Sequence, residues 1–391
     1  MKETLDKAAL AAGWRRVGQH WTSPKLPPAS APFKRRGIGV ACGWKNIGYS
    51  FGFDDQATCR VELHISVGRA SCPTPIPGAE AGVGRDARPT GVTEQAAGHD
   101  ARPTMAAIVK IGVSECGQGT TTGLAQIAAE TLGIPFERVT MIVSDTDVAP
   151  NAGSSSASRQ LYVSGNATRR ACLKALAALQ AAQASGEPLP GIVEAEATFH
   201  ARELRPTTQF DPQTGMCEPH ISLGWVTNVA EVEVDTETGE VELVRVWAAQ
   251  DVGRAINRQL IEQQIDGGIV MGQGYGLIED FVVDKGRILT RNFTEYLIPT
   301  ALDAPRDIRY IIVEEPDPTG PFGAKGVGEQ TTIAVPPAIL TAIHQATGAW
   351  VNSLPATAER VLAVLELETA RQPLKRSERA AAPAQGGKQS A

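Results

Sequence analysis

The stretch CGQGTTTGLAQIAAETLGIP, at residues 116–135, decides the fold because a glycine-rich turn is followed at once by a helical pattern. Apolar residues spaced three and four apart share one face of a helix. Here those residues are Leu124, Ile127, Ala128 and Leu132. We expect the Thr-rich start to cap this helix, and Gly133 and Pro135 to end it. A strand is predicted directly after it, over residues 136–144.

Two strand patterns precede that helix, and a long insertion separates them. Residues 60–67 and 106–113 have the alternating, β-branched character of strands and would form a hairpin if the insertion were only a few residues long. Residues 70–104 are rich in Ala, Gly, Pro and Thr, and the motif DARPT occurs in them twice. Such a composition cannot bury much apolar surface, so we predict a disordered insertion over 70–104.

The other predicted elements come in runs of strands and runs of helices. They are a helix over 3–12, a strand over 37–53, a helix that follows the polar loop 145–160, a hairpin over 227–250, a Gly-rich helix over 259–280, strands over 279–293 and 306–314, and helices over 338–346 and 356–367. Strict alternation of strand and helix is absent. The pattern therefore predicts an α+β fold in which hairpins pack against helices.

Composition divides the chain into four segments. Residues 1–36 are predicted to form an N-terminal helix and a basic linker, and residues 370–391 a disordered basic tail. Between them we expect a first subdomain over 37–185, which contains the insertion, and a second subdomain over 186–369.

Charge and cysteine content exclude several classes of protein. The formal net charge is -6 although both ends are basic, so the body is acidic and a nucleic-acid surface is not expected. The six cysteines form no CxxC motif, which argues against zinc and iron–sulfur sites. No stretch approaches the roughly 20 apolar residues of a membrane helix. The N-terminus lacks the features of a secretory signal, so we expect a cytoplasmic protein without a membrane span.

Three loops stand out, at 116–119, 155–159 and 323–329. The first two precede predicted helices, and the third leads into the segment TTIAV at 331–335. The N–H groups at a helix N-terminus suit a phosphate or an oxyanion, and glycines allow a bulky ligand to approach the backbone. Any one of these loops alone is more typical of an ordinary capping loop.

Taken together, six blocks in the same order resemble the large molybdenum subunit of the xanthine dehydrogenase and aldehyde oxidase family. The blocks are GQGT at 117–120, QIAAETLGIP at 126–135, the pattern DT…P…ASR over 145–159, QDVGRAIN at 250–257, GGIVMGQGYG at 267–276 and GAKGVGE at 323–329. This resemblance covers the chain from about Gly37 to Leu367, apart from the insertion. It implies two molybdopterin-binding subdomains in the segments named above.

The resemblance implies a molybdopterin cofactor, in mononucleotide or dinucleotide form, with the cytosine dinucleotide among the alternatives. The pterin dithiolene would hold the molybdenum, so no side chain is expected as a metal ligand. Glu329 matches the family's active-site glutamate. The residues implied in cofactor contact are Cys116, Gly117, Gln118, Gly119, Thr120, Ala157, Ser158, Arg159, Met271, Gly272, Gln273, Lys325, Gly326 and Gly328. The sequence departs from the family at Met271, where glutamine is common, and at Cys116, where a larger apolar residue is usual.

The family's chemistry explains why a carboxylate is needed. Members typically hydroxylate an N-heterocycle or an aldehyde with oxygen derived from water, and a base must remove a proton within hydrogen-bond reach. We expect Glu329 to supply that base and to be buried in its glycine loop.

The chain resembles only the C-terminal half of the family's molybdenum subunit. The resemblance therefore implies a partner chain that carries the missing N-terminal half, together with a [2Fe–2S] subunit and an FAD subunit, because this chain carries no Fe–S or FAD site. The substrate would be a small molecule. Two alternatives remain open: a non-catalytic remnant that serves as an interaction protein, and a reductive family member that acts on an aromatic thioester.

Overall fold

The computed structural model describes residues 1–18, 20–50, 53–66, 104–204 and 207–371, with side chains as far as residue 367. In chain order the helices and strands are α1 (Lys2–Ala11), β1 (Arg15–Val17), β2 (His20–Thr22), β3 (Lys34–Ile47), β4 (Gln56–Ser66), β5 (Thr104–Ile111), α2 (Thr120–Leu132), β6 (Val139–Val143), α3 (Gly165–Ser185), β7 (Ile192–His200), β8 (Ser222–Asp235), β9 (Val241–Asp251), α4 (Arg258–Gln273), β10 (Val283–Asp284), β11 (Arg287–Ile288), β12 (Asp307–Val313), α5 (Gln330–Ile333), α6 (Val335–Thr347) and α7 (Ala358–Arg371). Among the described residues, no helix has the length and apolar character needed to cross a membrane.

The chain forms two compact units that are interleaved along the sequence. The larger unit comprises Met1–Asp55, Ser155–Tyr162 and the chain from Ala201 onward, and the smaller comprises Gln56–Ser154 and Val163–His200. This division differs from the predicted contiguous subdomains 37–185 and 186–369. The physical reason is that β3, from the predicted first subdomain, pairs along its whole length with β8, from the second.

The larger unit is built on a four-stranded sheet in the order β12-β9-β8-β3. β3, β8 and β9 are antiparallel neighbours, whereas β12 runs parallel to β9. Helices α4, α6 and α7 cover one face of this sheet, where the main core lies. Gly37 and Gly39 lie within β3, as predicted. Glycine is required at both positions, because a Cβ there would be 2.1 and 2.3 Å from backbone oxygens of α6.

Helix α1 packs against the other face of the same sheet. Its buried Ala8 and Ala12 share an apolar cluster with Val229 and Trp247. Ser30, from the predicted linker, donates its backbone N–H to Glu233 at 2.9 Å. β3 begins at Lys34, so the last three residues of the segment predicted as a basic linker belong to the sheet.

The smaller unit has a four-stranded sheet in the order β6-β5-β4-β7. β4 and β5 are antiparallel partners, which confirms the predicted hairpin pairing. Helices α2 and α3 pack together in this unit, and the predicted apolar face of α2 is buried. Gly133 ends α2 in the left-handed conformation, also as predicted.

Some sequence predictions are confirmed and others need correction. The Gly-rich helix predicted over 259–280 is present: α4 ends at Gln273, and a π-helical segment over Gly274–Ile278 continues it. The strand predicted over 279–293 contains only the two-residue strands β10 and β11, because the polypeptide there has no buried face to pair through. Thr104, placed in the insertion, is the first residue of β5. The rest of that insertion from residue 70, and the tail beyond 371, lie outside the described residues.

Candidate functional site

Glu329 lies directly before α5, at the end of the GAKGVG loop. Its Oε2 accepts a hydrogen bond from Ser158 Oγ at 3.2 Å and forms an ion pair with Lys45 Nζ at 3.1 Å. The backbone N–H of Glu329 donates to the same Ser158 Oγ at 3.0 Å. The side chain of Glu329 is 48% exposed, so the expectation that it is buried is wrong: its loop presents the carboxylate outward.

Ser158 is held in an uncommon backbone conformation. Ala157 and Ser158 have φ angles of 51° and 49°, in the left-handed region that costs non-glycine residues free energy. A Cβ on Gly326 would lie 1.7 Å from the carbonyl oxygen of Ser158. Only glycine therefore permits the two loops to meet at this distance, and their contact brings Ser158 beside Glu329.

A buried ion pair formed by the next residue, Arg159, stabilises the loop that contains Ser158. Arg159 Nε lies 2.6 Å from Asp55 Oδ1, and both side chains are fully buried. Asp55 also accepts the backbone N–H of Tyr49 at 2.7 Å, and the N–H of Gly48 donates to Ala157 O at 2.9 Å. Arg159, which the sequence implied in cofactor contact, is thus committed to an internal ion pair, where loss of either partner would leave a buried charge.

A second buried ion pair anchors the GAKGVG loop. Lys325 Nζ lies 2.8 Å from Asp251 Oδ2, and Gln330 Nε2 donates to the carbonyl oxygen of Asp251 at 2.8 Å. The backbone N–H of Lys325 donates to Val252 O at 3.0 Å. Lys325 therefore holds the loop against the end of β9 and does not project from the surface.

Residues 271–273, which the resemblance implies in cofactor contact, lie in the last turn of α4. Gly272 packs against α6, where a Cβ would be 2.6 Å from Val335 Cβ. Gln273 is buried, and its Nε2 donates to Asp303 O at 2.7 Å. Of the three residues, Met271 alone is exposed. Gly272 therefore allows the close approach of α4 and α6, and Gln273 is bonded to the backbone at Asp303.

In the smaller unit, the GQGT loop is organised by Glu115. Its carboxylate accepts backbone N–H groups of Gly117, Gly119 and Thr121, each at 2.9 Å. Burial raises the pKa of Glu115, but these hydrogen bonds outweigh it, so the pKa lies below its ordinary value. Glu115 thus performs the capping that we expected from the Thr-rich start, because a carboxylate suits the positive end of a helix. The expectation that the loop has free N–H groups is wrong for these three amides.

Gln118 is held inside the same loop. Its Oε1 accepts from the backbone N–H of Cys116 at 2.7 Å and lies 2.9 Å from Cys116 Sγ, while its Nε2 donates to Ser114 O at 2.8 Å. Thr120 is buried as the first residue of α2. The loop is therefore fully formed by its own hydrogen bonds.

The larger unit brings together Ser158, Gly326 and Glu329, three of the residues that the sequence singled out. Sequence reasoning missed Lys45, Asp55, Glu115 and Asp251. The polar pair of Lys45 and Asn46 near the end of a predicted apolar strand could have indicated that Lys45 belongs to the site. Nothing in the local sequence distinguishes Asp55, and the QDVGRAIN block contains Asp251 without indicating its role. The ion-pair partners of both lie more than 70 residues away.

The comparisons with known proteins agree on the class of this chain. Residues 100–305 match the model of a molybdopterin cofactor-binding domain. The chain is 33% identical over 280 residues to a probable subunit of xanthine dehydrogenase from Bacillus subtilis (strain 168), covering 65% of this chain and 37% of that protein. It is 32% identical over 281 residues to the gamma subunit of the 6-hydroxypseudooxynicotine dehydrogenase complex of Paenarthrobacter nicotinovorans, covering 65% and 35%.

The fold is similar to that of the aldehyde oxidoreductase from Desulfovibrio gigas, with a TM-score of 0.67 and 25% identity over 93% of this chain and 34% of that one. The chain therefore belongs to the molybdopterin-binding family of xanthine dehydrogenase and aldehyde oxidoreductase. The resemblance and the α+β fold class are confirmed. The chain spans between 34% and 37% of the length of these relatives.

Two exposed glycines leave room for a bulky cofactor. Gly117 has a φ of 100° and no atom within 4 Å of the position of a Cβ, and at Gly328 the nearest atoms are 3.6 and 3.7 Å away. Both positions would admit a pterin or its phosphates beside the backbone. Gly272 and Gly326 do not fit this role, since packing within the protein fills the space at each.

Proposed function

We propose that this chain is the cofactor-binding part of a molybdenum hydroxylase that acts on an N-heterocycle or an aldehyde, and that Glu329 is its catalytic base. The observation that carries the proposal is the exposed position of the Glu329 carboxylate. Within the described residues, its Oε2 alone has partners, Ser158 and Lys45, so Oε1 is available to accept a proton. Membership of the molybdopterin-binding family supports the reaction class.

The bound cofactor would supply the two-electron chemistry and the site at which water-derived oxygen reaches the substrate. In the larger unit, Gly328 would let it approach the backbone. Glu329 would accept the proton at Oε1 while Ser158 holds Oε2. A positioned base of this kind commonly contributes a factor of about 100 or more to the rate. The cofactor would be a mononucleotide or a dinucleotide form, the cytosine dinucleotide included.

We also propose that a partner chain carries the rest of the molybdenum subunit. The apolar arm, defined as residues 281–304, supports this proposal because none of its residues is buried. Its large exposed apolar residues are Phe281, Val282, Val283, Ile288, Leu289, Phe293, Leu297, Ile298 and Leu302. Contiguous apolar surface of this kind marks an interaction site. The matched part makes up only 37% and 35% of these two relatives, so the rest of such a subunit would be available to cover the arm.

Further subunits with [2Fe–2S] clusters and FAD would accept the electrons, in a cytoplasmic complex. The names of the relatives support a multi-subunit assembly, since two are described as subunits. The described cysteines are all free, as expected in a reducing compartment.

Glu329→Gln tests the proposed base in the assembled complex. The variant keeps the size of the side chain but cannot accept the proton, so molybdenum should be retained while its reduction by a panel of N-heterocycles and aldehydes slows by about a hundredfold. Glu137→Gln, at an exposed position in the smaller unit, is the matched control and should match the parent. Reduction at the parent rate in Glu329→Gln would refute the catalytic assignment.

A further inference from the structure

Lys45 lies on β3, two residues before the strand ends at Ile47. Its Nζ is 3.1 Å from Glu329 Oε2 and donates to Asn46 Oδ1 at 2.7 Å and to Asn46 O at 3.3 Å. The side chain of Lys45 is 23% exposed, against 48% for Glu329. The ammonium group therefore lies deeper than the carboxylate that it contacts.

Asn46, which holds Lys45, is itself fixed. Its Nδ2 donates to Gly48 O at 2.7 Å and to Ser50 Oγ at 3.1 Å. Ser50 Oγ lies 2.9 Å from His220 Nδ1. The hydrogen bonds thus run from the end of β3 to His220 and keep the Asn46 amide in one orientation.

The hydrogen bonds from Lys45 to Asn46 matter because an isolated ion pair on a protein surface contributes little free energy. A free lysine side chain loses rotamer entropy when it is confined to one partner, and solvent screens its charge. Lys45 has already been confined by Asn46, and its ammonium group forms an ion pair with one named oxygen of Glu329.

We propose that Lys45 is a positioning residue for Glu329: it holds Oε2, so that Oε1 is the oxygen that faces the reacting proton. Ser158 supplies a neutral hydrogen bond to the same Oε2, and Lys45 supplies the opposite charge of an ion pair. The inference rests on the proposed function, in which Glu329 is the base. It adds a residue on β3 to a site otherwise built from two loops.

Carbodiimide labelling with glycine ethyl ester tests this contact in the full chain without measuring activity. Trypsin would release residues 326–360 as one peptide, in which the exposed Glu359 is an internal reference for Glu329. Lys45→Met should raise the labelling of Glu329 relative to Glu359 by about threefold, because the carboxylate loses its charged partner. Lys45→Arg, which keeps the charge, should remain within about twofold of the parent.

Lys7→Met is the matched control, because Lys7 forms an exposed ion pair with Glu3 at 2.7 Å on α1. It should leave Glu329 labelling unchanged. Labelling of Glu359 and Glu137 at parent levels would show that each variant is folded. The proposal is overturned if Lys45→Met labels Glu329 as the parent does, or if Lys45→Arg labels it as strongly as Lys45→Met.

Kinetics of the assembled complex supply the second measurement. Lys45→Met should lower kcat by about tenfold and change KM by less than about twofold, because misplacement of a base affects the reacting geometry. Lys45→Arg should recover most of that loss. A rise in KM at unchanged kcat would overturn the positioning role. If Glu329→Gln instead reduces molybdenum at the parent rate, the proposed function fails, while the labelling result still decides whether Lys45 holds the carboxylate.

Discussion

Ser158 and Glu329 are 171 residues apart in the sequence and are joined by two hydrogen bonds through one hydroxyl group. Ser158 Oγ donates to the carboxylate and accepts the backbone N–H of Glu329. The orientation of the carboxylate therefore depends on a serine in a left-handed backbone conformation, on a different loop. Strain of this kind persists where the surrounding structure enforces it, and it is common at functional sites.

Ser158→Ala and Ser158→Gly separate the hydroxyl from the backbone strain. Both variants lose the two hydrogen bonds to Glu329, so both should reduce molybdenum about tenfold more slowly in the assembled complex, with cofactor content unchanged. Glycine adopts the φ of 49° without the cost that a Cβ imposes. Ser158→Gly should therefore be more stable than Ser158→Ala by about 1 kcal/mol in thermal unfolding. Parent rates in both variants would contradict a role for the hydroxyl group.

Gly326→Ala and Gly328→Ala form a matched pair on one loop. A Cβ on Gly326 would lie 1.7 Å from the Ser158 carbonyl oxygen, so the two loops would have to separate. We expect a loss of about 2 kcal/mol of stability and increased labelling of Glu329 by carbodiimide. Gly328 has its nearest atoms at 3.6 and 3.7 Å, so alanine there should leave stability unchanged.

Cofactor content distinguishes the two glycines further. If Gly328 faces the cofactor as proposed, Gly328→Ala should lower the molybdenum content of the complex while the thermal unfolding midpoint stays at the parent value. Equal destabilisation by both alanines would show that Gly328, like Gly326, is a packing glycine.

Local sequence was sufficient for the helix α2 and for the β4–β5 pairing, because three- and four-residue spacing and strand alternation are local signals. The short helix α5 directly after Glu329 was not predicted. Nor were the contacts of the Glu329 carboxylate, since Lys45 and Ser158 reach it through β3 and a separate loop. Gly272 and Gly326 show the same limit: both are glycines of family motifs, yet each is required by a neighbour distant in sequence, Val335 and Ser158.

Glu233 gives the larger unit a pH-dependent stability. Burial raises the pKa of this carboxyl, but hydrogen bonds from Ser30, Arg36 and Lys34 outweigh it and lower the pKa to about 2. A group whose folded-state pKa is depressed stabilises the fold above its unfolded value, near 4.5, and loses that contribution as the pH falls toward 2. Unfolding free energy of the parent should therefore fall between pH 4.5 and 2.

Glu233→Gln isolates this contribution. At pH 7 the variant should be less stable by about 2 kcal/mol, because the cations of Arg36 and Lys34 lose their buried partner. Its stability should also fall less steeply than that of the parent as the pH is lowered. Parallel curves in urea unfolding from pH 5 to pH 3 would contradict the assignment. The exposed Glu137→Gln variant is the control and should follow the parent at every pH.

The segment between β4 and β5 should be dispensable for the smaller unit. Ser66 and Thr104 are directly paired across the two strands, so a two-residue turn can join them. Replacement of residues 67–103 by Asn-Gly should preserve the far-UV circular dichroism and raise stability by about 1–2 kcal/mol, because a shorter loop costs less entropy to close. A cooperative loss of structure would show that the deleted segment is part of the fold.

The apolar arm, residues 281–304, should cause self-association when the chain is produced without partners. Phe281, Phe293 and Leu302 are 58%, 75% and 96% exposed, and water around such surface favours association with any available apolar face. Replacement of all three by serine should reduce the aggregated fraction in light scattering several-fold while thermal unfolding is unchanged, since none of the three is buried. Leu10→Ser, at a residue of α1 that is 61% exposed, is the control and should aggregate as the parent does.

In the assembled complex the same triple variant should lower the yield of this chain bound to its partner, because the partner would lose the surface that it covers. A monodisperse parent chain, or a triple variant that assembles as well as the parent, would contradict the role of the arm and leave the position of Glu329 as the remaining support for the proposed function.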